Sequence, residues 1–292
     1  MKSRLARLVT MGAAALLLAQ SQFGFPHRSL TPGANQSQWI NFVPQDEDFT
    51  ATIPARPTMR NYPVYNSRYD THEKILAHRE YSGYGDGLIF IIHSYKAQHP
   101  EKLSTRQLNL INETDVFQRI QLGEVNAELF RTIVPNRYAS YTKQTLRFTS
   151  QKHLYVIGLL TLAENNPTVD RFINGIGMRQ PGDQVTPIEP VPETSRNIWS
   201  AKDVTRRAIV VWKSEPWYTT AARAHQVVGT VVLQAVFGEN GYVTDITVVS
   251  GLKDGLDESA IDAARNVRFF PAEKDGKPVG QRMMLEYNFN LY

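Results

Sequence analysis

Side chains able to carry chemistry are few in this chain, and their spacing is most informative for what it fails to form. Seven histidines occur: His27, His72, His78, His93, His99, His153 and His225. None belongs to a His-Glu-x-x-His pair, and no two stand at metal-ligand spacing beside a carboxylate. The densest group, His72, Glu73, His78 and Glu80, falls in a polar stretch and reads as solvated surface. The absence of cysteine removes disulfides, thiol catalysis and cysteine-based zinc sites. No Gly-x-Ser-x-Gly elbow, phosphate-binding loop or dinucleotide fingerprint occurs. Gly83-x-Gly85-x-Gly87 precedes an apolar run suited to a strand, so turn chemistry accounts for it. The sequence therefore assigns no catalytic residue, no metal ligand and no cofactor, and the chain reads as a protein other than an enzyme.

The remaining chemistry belongs to the main chain. In the final run Met283, Leu285, Tyr287, Phe289 and Leu291 share one face, and Arg282, Glu286, Asn288 and Asn290 share the other. That period of two marks a half-buried antiparallel strand. The run reaches the last residue, which makes it a candidate edge strand with unpaired N–H and C=O groups. Such an edge can take up an extended peptide by β-augmentation, or pair with a second copy as a homodimer.

The elements that must hold this strand are legible upstream. Thr230–Phe237 and Tyr242–Ser250 are alternating apolar runs around Asn240-Gly241, a strong hairpin signal. A short helix follows. Asp257 is its expected cap, and Leu256 and Ile261 stand at hydrophobic-staple spacing. Glu258 and Asp262 near its start and Arg265 and Arg268 near its end suit the helix dipole. Ahead of the hairpin, Ile209–Trp212 is a short apolar run and Thr219–His225 is helical, with Trp212 and Tyr218 expected in or near the core.

The first half reads as a separate α+β domain over 39–178. Trp39-x-x-Phe42 and Phe49-x-x-x-Ile53-Pro54 suggest two strands, the second ended by proline. Pro57–Tyr69 is irregular, and Leu88–Tyr95 suits a buried strand. Ser104-x-x-Gln107 can box a helix of about sixteen residues carrying Leu108, Ile111, Phe117 and Ile120. Strand-like runs follow near Val125–Val134, Tyr141–Thr149 and His153–Leu162, and Asn166-Pro167 opens a last helix. Helices at both ends of antiparallel strands indicate helices packed on a sheet. A Pro-rich linker, 179–198, leads to the second module at 199–292. In polyproline-II geometry its proline-bearing part reaches about 45 Å at most.

Composition supports a globular protein: 292 residues, 42% hydrophobic, 21% charged and a net charge of +4. Lysines and arginines are scattered, so no basic stripe for nucleic acid is present. Lys2, Arg4 and Arg7 precede an apolar run, Leu8–Ala19, with Ala19-Gln20-Ser21 as a cleavage site, the pattern of a signal peptide over 1–21. Uncleaved, the same segment is a membrane anchor and the only source of membrane contact.

The second module resembles the C-terminal domain of TonB and its relatives, the periplasmic energy-transducer family. The resemblance is carried by Pro216-x-Tyr218-x-x-x-Ala222-Arg223, Gly229-Thr230-Val231 and Asn240-Gly241-x-Val243-x-Asp245. It continues through Leu256-Asp257-x-x-Ala260, Arg268-Phe269-x-Pro271-Ala272 and Asp275-Gly276-Lys277-Pro278-Val279. Thr219 departs from the proline usual after the tyrosine. The resemblance implies an antiparallel sheet packed with helices whose last strand takes up a segment of an outer-membrane receptor. Gln281, Met283, Leu285 and Tyr287 are then the candidate peptide-docking positions. More distantly, residues 39–178 are similar in pattern to PsbP-like sandwich modules, a binding and assembly fold. The expectation is an exported, periplasmic TonB-type protein that binds a peptide or protein partner, without nucleic acid. Alternatives are an energy transducer anchored in the inner membrane for outer-membrane transport, and an envelope enzyme in the first domain.

Overall fold

Alternating apolar patterns dominate the chain, and strands accordingly dominate the computed structural model, which describes residues 39–64, 73–103, 108, 116–137, 139–188 and 197–291. The segment expected to be a signal peptide or anchor lies outside these residues, as does most of the helix expected from Ser104.

The first half holds two antiparallel sheets. A small one orders β1 (Ile40–Phe42), β2 (Phe49–Ile53) and β10 (Gly177–Met178). The large one has seven strands in the order β3-β4-β5-β9-β8-β7-β6. In chain order these are β3 (Thr58–Tyr62), β4 (Ile75–Gly85), β5 (Leu88–Ala97), β6 (Val116–Leu122), β7 (Val125–Val134), β8 (Tyr141–Thr149) and β9 (His153–Thr161). The three runs expected as strands after position 124 are β7, β8 and β9. Two elements differ from expectation. Thr58–Tyr62 pairs with β4 instead of remaining irregular. Residues 116–122 form a strand, not the end of a helix, because Gly123-Glu124 closes a tight hairpin with Leu122 opposite Val125. A ladder of seven cross-strand pairs outweighs a loose helical stripe.

Helix α1 (Pro167–Asn174) starts as its sequence implies, with the Asn166 carboxamide accepting from Thr168 N at 2.9 Å. Its Val169, Phe172 and Ile173 meet Phe42, Phe49, Phe90 and Tyr155 in the main core. On the central strand β9, Tyr155, Ile157 and Leu159 point into this core, while Leu154 and Val156 enter a smaller cluster with Tyr95 and Leu103. Burial on both faces explains the unbroken apolar run. Asp86 and Gly87, at φ of 50° and 73°, make the β4–β5 turn, the reason for the last of the three spaced glycines.

The second half builds a sheet in the order β11-β17-β13-β14, with β16 also on β17. Its members are β11 (Ile198–Trp199), β13 (Gly229–Phe237), β14 (Val243–Ser250), β16 (Ala272–Lys274) and β17 (Lys277–Phe289). Helices α2 (Thr220–Ala224) and α3 (Leu256–Arg265) contribute Ala222, Leu256, Ala260 and Ala264 to a separate core with Val231, Leu233, Phe237 and Phe269. The protein is α+β, as expected.

Helix α3 corrects one detail. Its cap position is Gly255 at φ 80°, with no side-chain hydrogen bond, and Asp257 stands inside the helix. The Asp257 carboxylate instead accepts from Leu252 N at 2.7 Å, fastening the loop that enters the helix. Asp257→Ala should therefore still cost about 1 kcal/mol, through loss of a charge-assisted loop contact. Thermal unfolding checks this: an unchanged Tm would mean the loop holds without it.

The two halves meet face to face. Strands β12 (Ile209–Trp212) and β15 (Arg268–Phe270) pair with each other, and their Ile209 and Phe270 pack on Ile89, Tyr141 and Leu160 of the seven-stranded sheet. Tyr242 donates to the Arg56 carbonyl at 2.8 Å, and Asn136 donates to the Val210 carbonyl at 3.1 Å. Gly241, at φ 82°, sits where an added Cβ would lie 2.5 Å from Tyr84 Cβ, so the hairpin turn can touch the first module only as glycine. The Arg268 guanidinium bonds the Glu80 carboxylate across the same interface. Residues 179–188 are also fastened: Arg179 N donates to Asp48 O and Thr186 N to Val43 O, both at 2.9 Å.

Candidate functional site

Strand β17 is thirteen residues long and is held differently along its length. Lys277–Val279 pairs with β16, and Gln281–Phe289 pairs antiparallel with β13. On the side away from β13, β11 lies parallel to it, with Ile198 opposite Gly280 and Trp199 opposite Gln281. Gly280 N donates to Asn197 O at 3.2 Å. From Arg282 to Phe289 that outer side pairs with no strand among the described residues.

The four residues singled out by sequence lie on the inner face of this strand. Gln281 is buried, and its Oε1 accepts from Ala208 N at 2.8 Å. Leu285 and Tyr287 are buried in the second core, and Met283 is half-buried against it. The opposite face is cross-linked to β13: Arg282 donates to Gln234 Oε1 at 3.1 Å, and Thr230 donates to Asn288 Oδ1 at 2.7 Å. Both side-chain faces are thus engaged along most of the strand, leaving the main-chain edge as the available chemistry.

One group from outside the sheet touches that edge. The Lys213 ammonium donates to the Glu286 carbonyl and lies 4.2 Å above the Tyr287 ring. Tyr287 is 2% exposed, and its hydroxyl has no hydrogen-bond partner among the described residues. Burial, with the nearby Glu215 carboxylate, raises its pKa well above the ordinary phenol value, so the hydroxyl keeps its proton. Lys213 and the short strand Ile198–Trp199 were not recognisable from sequence as parts of this site. The only signal was an isolated Ile-Trp pair at the end of a proline-rich stretch. Trp212, at the end of β12, is 45% exposed rather than near-core, while Ile209 of the same strand is buried.

The histidine groups also resolve. His78 and Glu80 are buried, not solvated. Alternation along β4 puts both on one face, where His78 Nε2 lies 3.1 Å from His93 Nδ1 and Tyr62 donates to Glu80 at 2.7 Å, with Glu80 also reaching Arg268 of the second module. His72 lies outside the described residues. A second group joins His153 to Asp48 at 2.9 Å, with Ser150 donating to the same carboxylate at 2.6 Å. Ser94 donates to Glu47 at 2.5 Å. Each of these serines thus gives its proton to a carboxylate, an arrangement that holds loops. It lacks the serine-to-imidazole contact that activates a nucleophile. No group of three metal-ligating side chains comes together among the described residues.

The second module is thus a sheet built from a hairpin, a helix and a long last strand, with open edges along β14 and along the outer side of Arg282–Phe289. Residues 214–291 match the family described as "Gram-negative bacterial TonB protein C-terminal", so the TonB resemblance read from the sequence is shown over this stretch. No curated protein matches the chain. A crystal structure from Bacteroides thetaiotaomicron VPI-5482 is similar at 11% identity and a TM-score of 0.30, over 46% of this chain and 46% of its own. The chain thus spans less than half of that protein, and a likeness of this size defines neither fold nor function. No helix among the described residues is long and apolar enough to cross a membrane.

Proposed function

We propose that this is a periplasmic cell-envelope protein whose C-terminal module takes up an extended segment of a partner protein by β-augmentation along β17. The observation that carries the reading is the unpaired outer side of Arg282–Phe289, directly continuing the stretch on which Ile198–Trp199 is already seated. A parallel guest strand would begin where β11 ends and run toward Phe289. Main-chain hydrogen bonds would supply affinity. Gln281, Met283, Leu285 and Tyr287 would act by holding the strand flat from below. Lys213, which now caps the Glu286 carbonyl, would give way to a guest N–H. An outer-membrane receptor segment is the partner that the family match suggests.

In an antiparallel ladder the N–H and C=O of one residue point to the same side. Lys213 reaches the Glu286 carbonyl from outside the β13 pairing, so the Glu286 N–H also faces outward. Glu286→Pro should abolish capture of those strand-forming peptides, selected on the full chain from a random displayed library, that still bind Trp217→Ala, while Tm falls by no more than about 4 °C. Retained capture would refute docking at this edge. Unfolding of the variant would show the strand to be interior.

A further inference from the structure

A groove with a volume of about 910 Å³ lies elsewhere, between the two modules. Two sheet edges line it, together with helix α3 through Ser259, Asp262 and Arg265. Thr58–Arg60 belongs to β3, the terminal strand of the seven-stranded sheet, and Val243–Ile246 belongs to β14, the terminal strand of the other. Neither strand has a second partner among the described residues. Trp217 and Met59, 58% and 41% exposed, stand in this groove, and a solvent-facing tryptophan beside open backbone is the usual composition of a binding hot spot. Thr244 Oγ1 is shielded from solvent and has no hydrogen-bond partner among the described residues.

Charges in the groove select its occupant. Arg265 is paired with Asp262, Arg268 with Glu80, and Arg60 lies over the Tyr62 ring. Glu215, beside Trp217, pairs with no cation among the described residues. Two of the three arginines thus already hold carboxylates, and a small apolar ligand leaves the edge N–H and C=O groups unpaired. An extended chain satisfies those groups, fills the space against Trp217, and can place a lysine or arginine on Glu215.

We propose that the groove between β3 and β14 is a second strand-docking site, taking an extended peptide segment that presents an apolar side chain to Trp217 and a basic one to Glu215. It is distinct from the β17 edge, and the Trp217 and Glu286 variants separate the two. The test pans a library of short random peptides on the full chain, then measures binding to Trp217→Ala, Glu215→Lys and Glu286→Pro variants, with amide deuterium exchange on each complex. Both groove substitutions are at exposed side chains, and thermal unfolding confirms that the variants are folded. The expected result is a class of peptides carrying an apolar and a basic residue. It binds at least about tenfold more weakly to Trp217→Ala and Glu215→Lys, is unaffected by Glu286→Pro, and protects amides at 244–246. Failure to enrich any Trp217-dependent peptide, or protection confined to 282–289, overturns the groove site. The second of those results leaves the β17 edge standing.

Discussion

Arg268→Ala is expected to lower stability by about 3–5 kcal/mol at neutral pH, the usual cost of removing one partner of a buried ion pair. Glu80 is almost wholly buried, at 4% side-chain exposure, and Arg268 is at 12%. The alanine variant would leave that carboxylate beside Tyr62 and Ser82 with no cation. Burial pushes the Glu80 carboxyl up. The Arg268 guanidinium, the neighbouring His93, and the hydrogen bonds from Tyr62 and Arg268 outweigh it and hold the pKa at about 2. A depressed folded-state pKa means that the stabilisation is present above the unfolded value near 4.5 and is lost as pH falls toward 2. In Arg268→Ala burial acts unopposed by the arginine, and the carboxyl moves up. The gap in Tm between wild type and variant should therefore be widest at pH 7 and shrink below about pH 4.5. A pH-independent gap would mean that Arg268 acts by packing alone. Because Arg268 and Glu80 lie on opposite modules, a joint Glu80→Leu, Arg268→Met variant should recover most of the loss.

Glu47→Ala should cost about 4 kcal/mol, and Tm should drop by roughly 10 °C. Glu47 lies in the loop between β1 and β2 and is 2% exposed. Its carboxylate accepts from Ser94 at 2.5 Å, Tyr81 at 3.1 Å, Tyr155 at 3.2 Å and Arg79 at 3.3 Å. Tyr81 and Tyr155 are themselves buried, so removing the acceptor strands two phenol donors, each costing about 1–3 kcal/mol. Glu47→Gln keeps an acceptor oxygen and should recover about half of the loss. A loss below about 1 kcal/mol for alanine would mean that water replaces the carboxylate.

These two residues mark the limit of what the sequence discloses. Periodicity placed β7, β8, β9, the β13–β14 hairpin and β17, because each buries a regular alternation of apolar side chains. It placed α1 because an Asn-Pro start is a local signal. Glu47 is one of four polar residues in Gln45-Asp-Glu-Asp, and only the fold selects it for burial. Glu80 stands between Arg79 and Tyr81 on a strand that reads as polar, and its cation lies 188 positions away. Such long-range polar pairing has no period. The candidate site was legible to the same extent: β17 and its inner-face residues follow from alternation and family likeness. The parallel β11, the Lys213 cap and the groove under Trp217 depend on how separate segments meet.

The most direct measurement is amide deuterium exchange across β17 in the full chain, with and without a strand-forming peptide selected on it whose binding does not depend on Trp217. Slowed exchange at Arg282, Met284, Glu286 and Asn288, whose N–H groups share the outward side, is the predicted result. Amides in this stretch that are already protected in the free protein, or that stay unchanged when the peptide is bound, would contradict docking at the β17 edge.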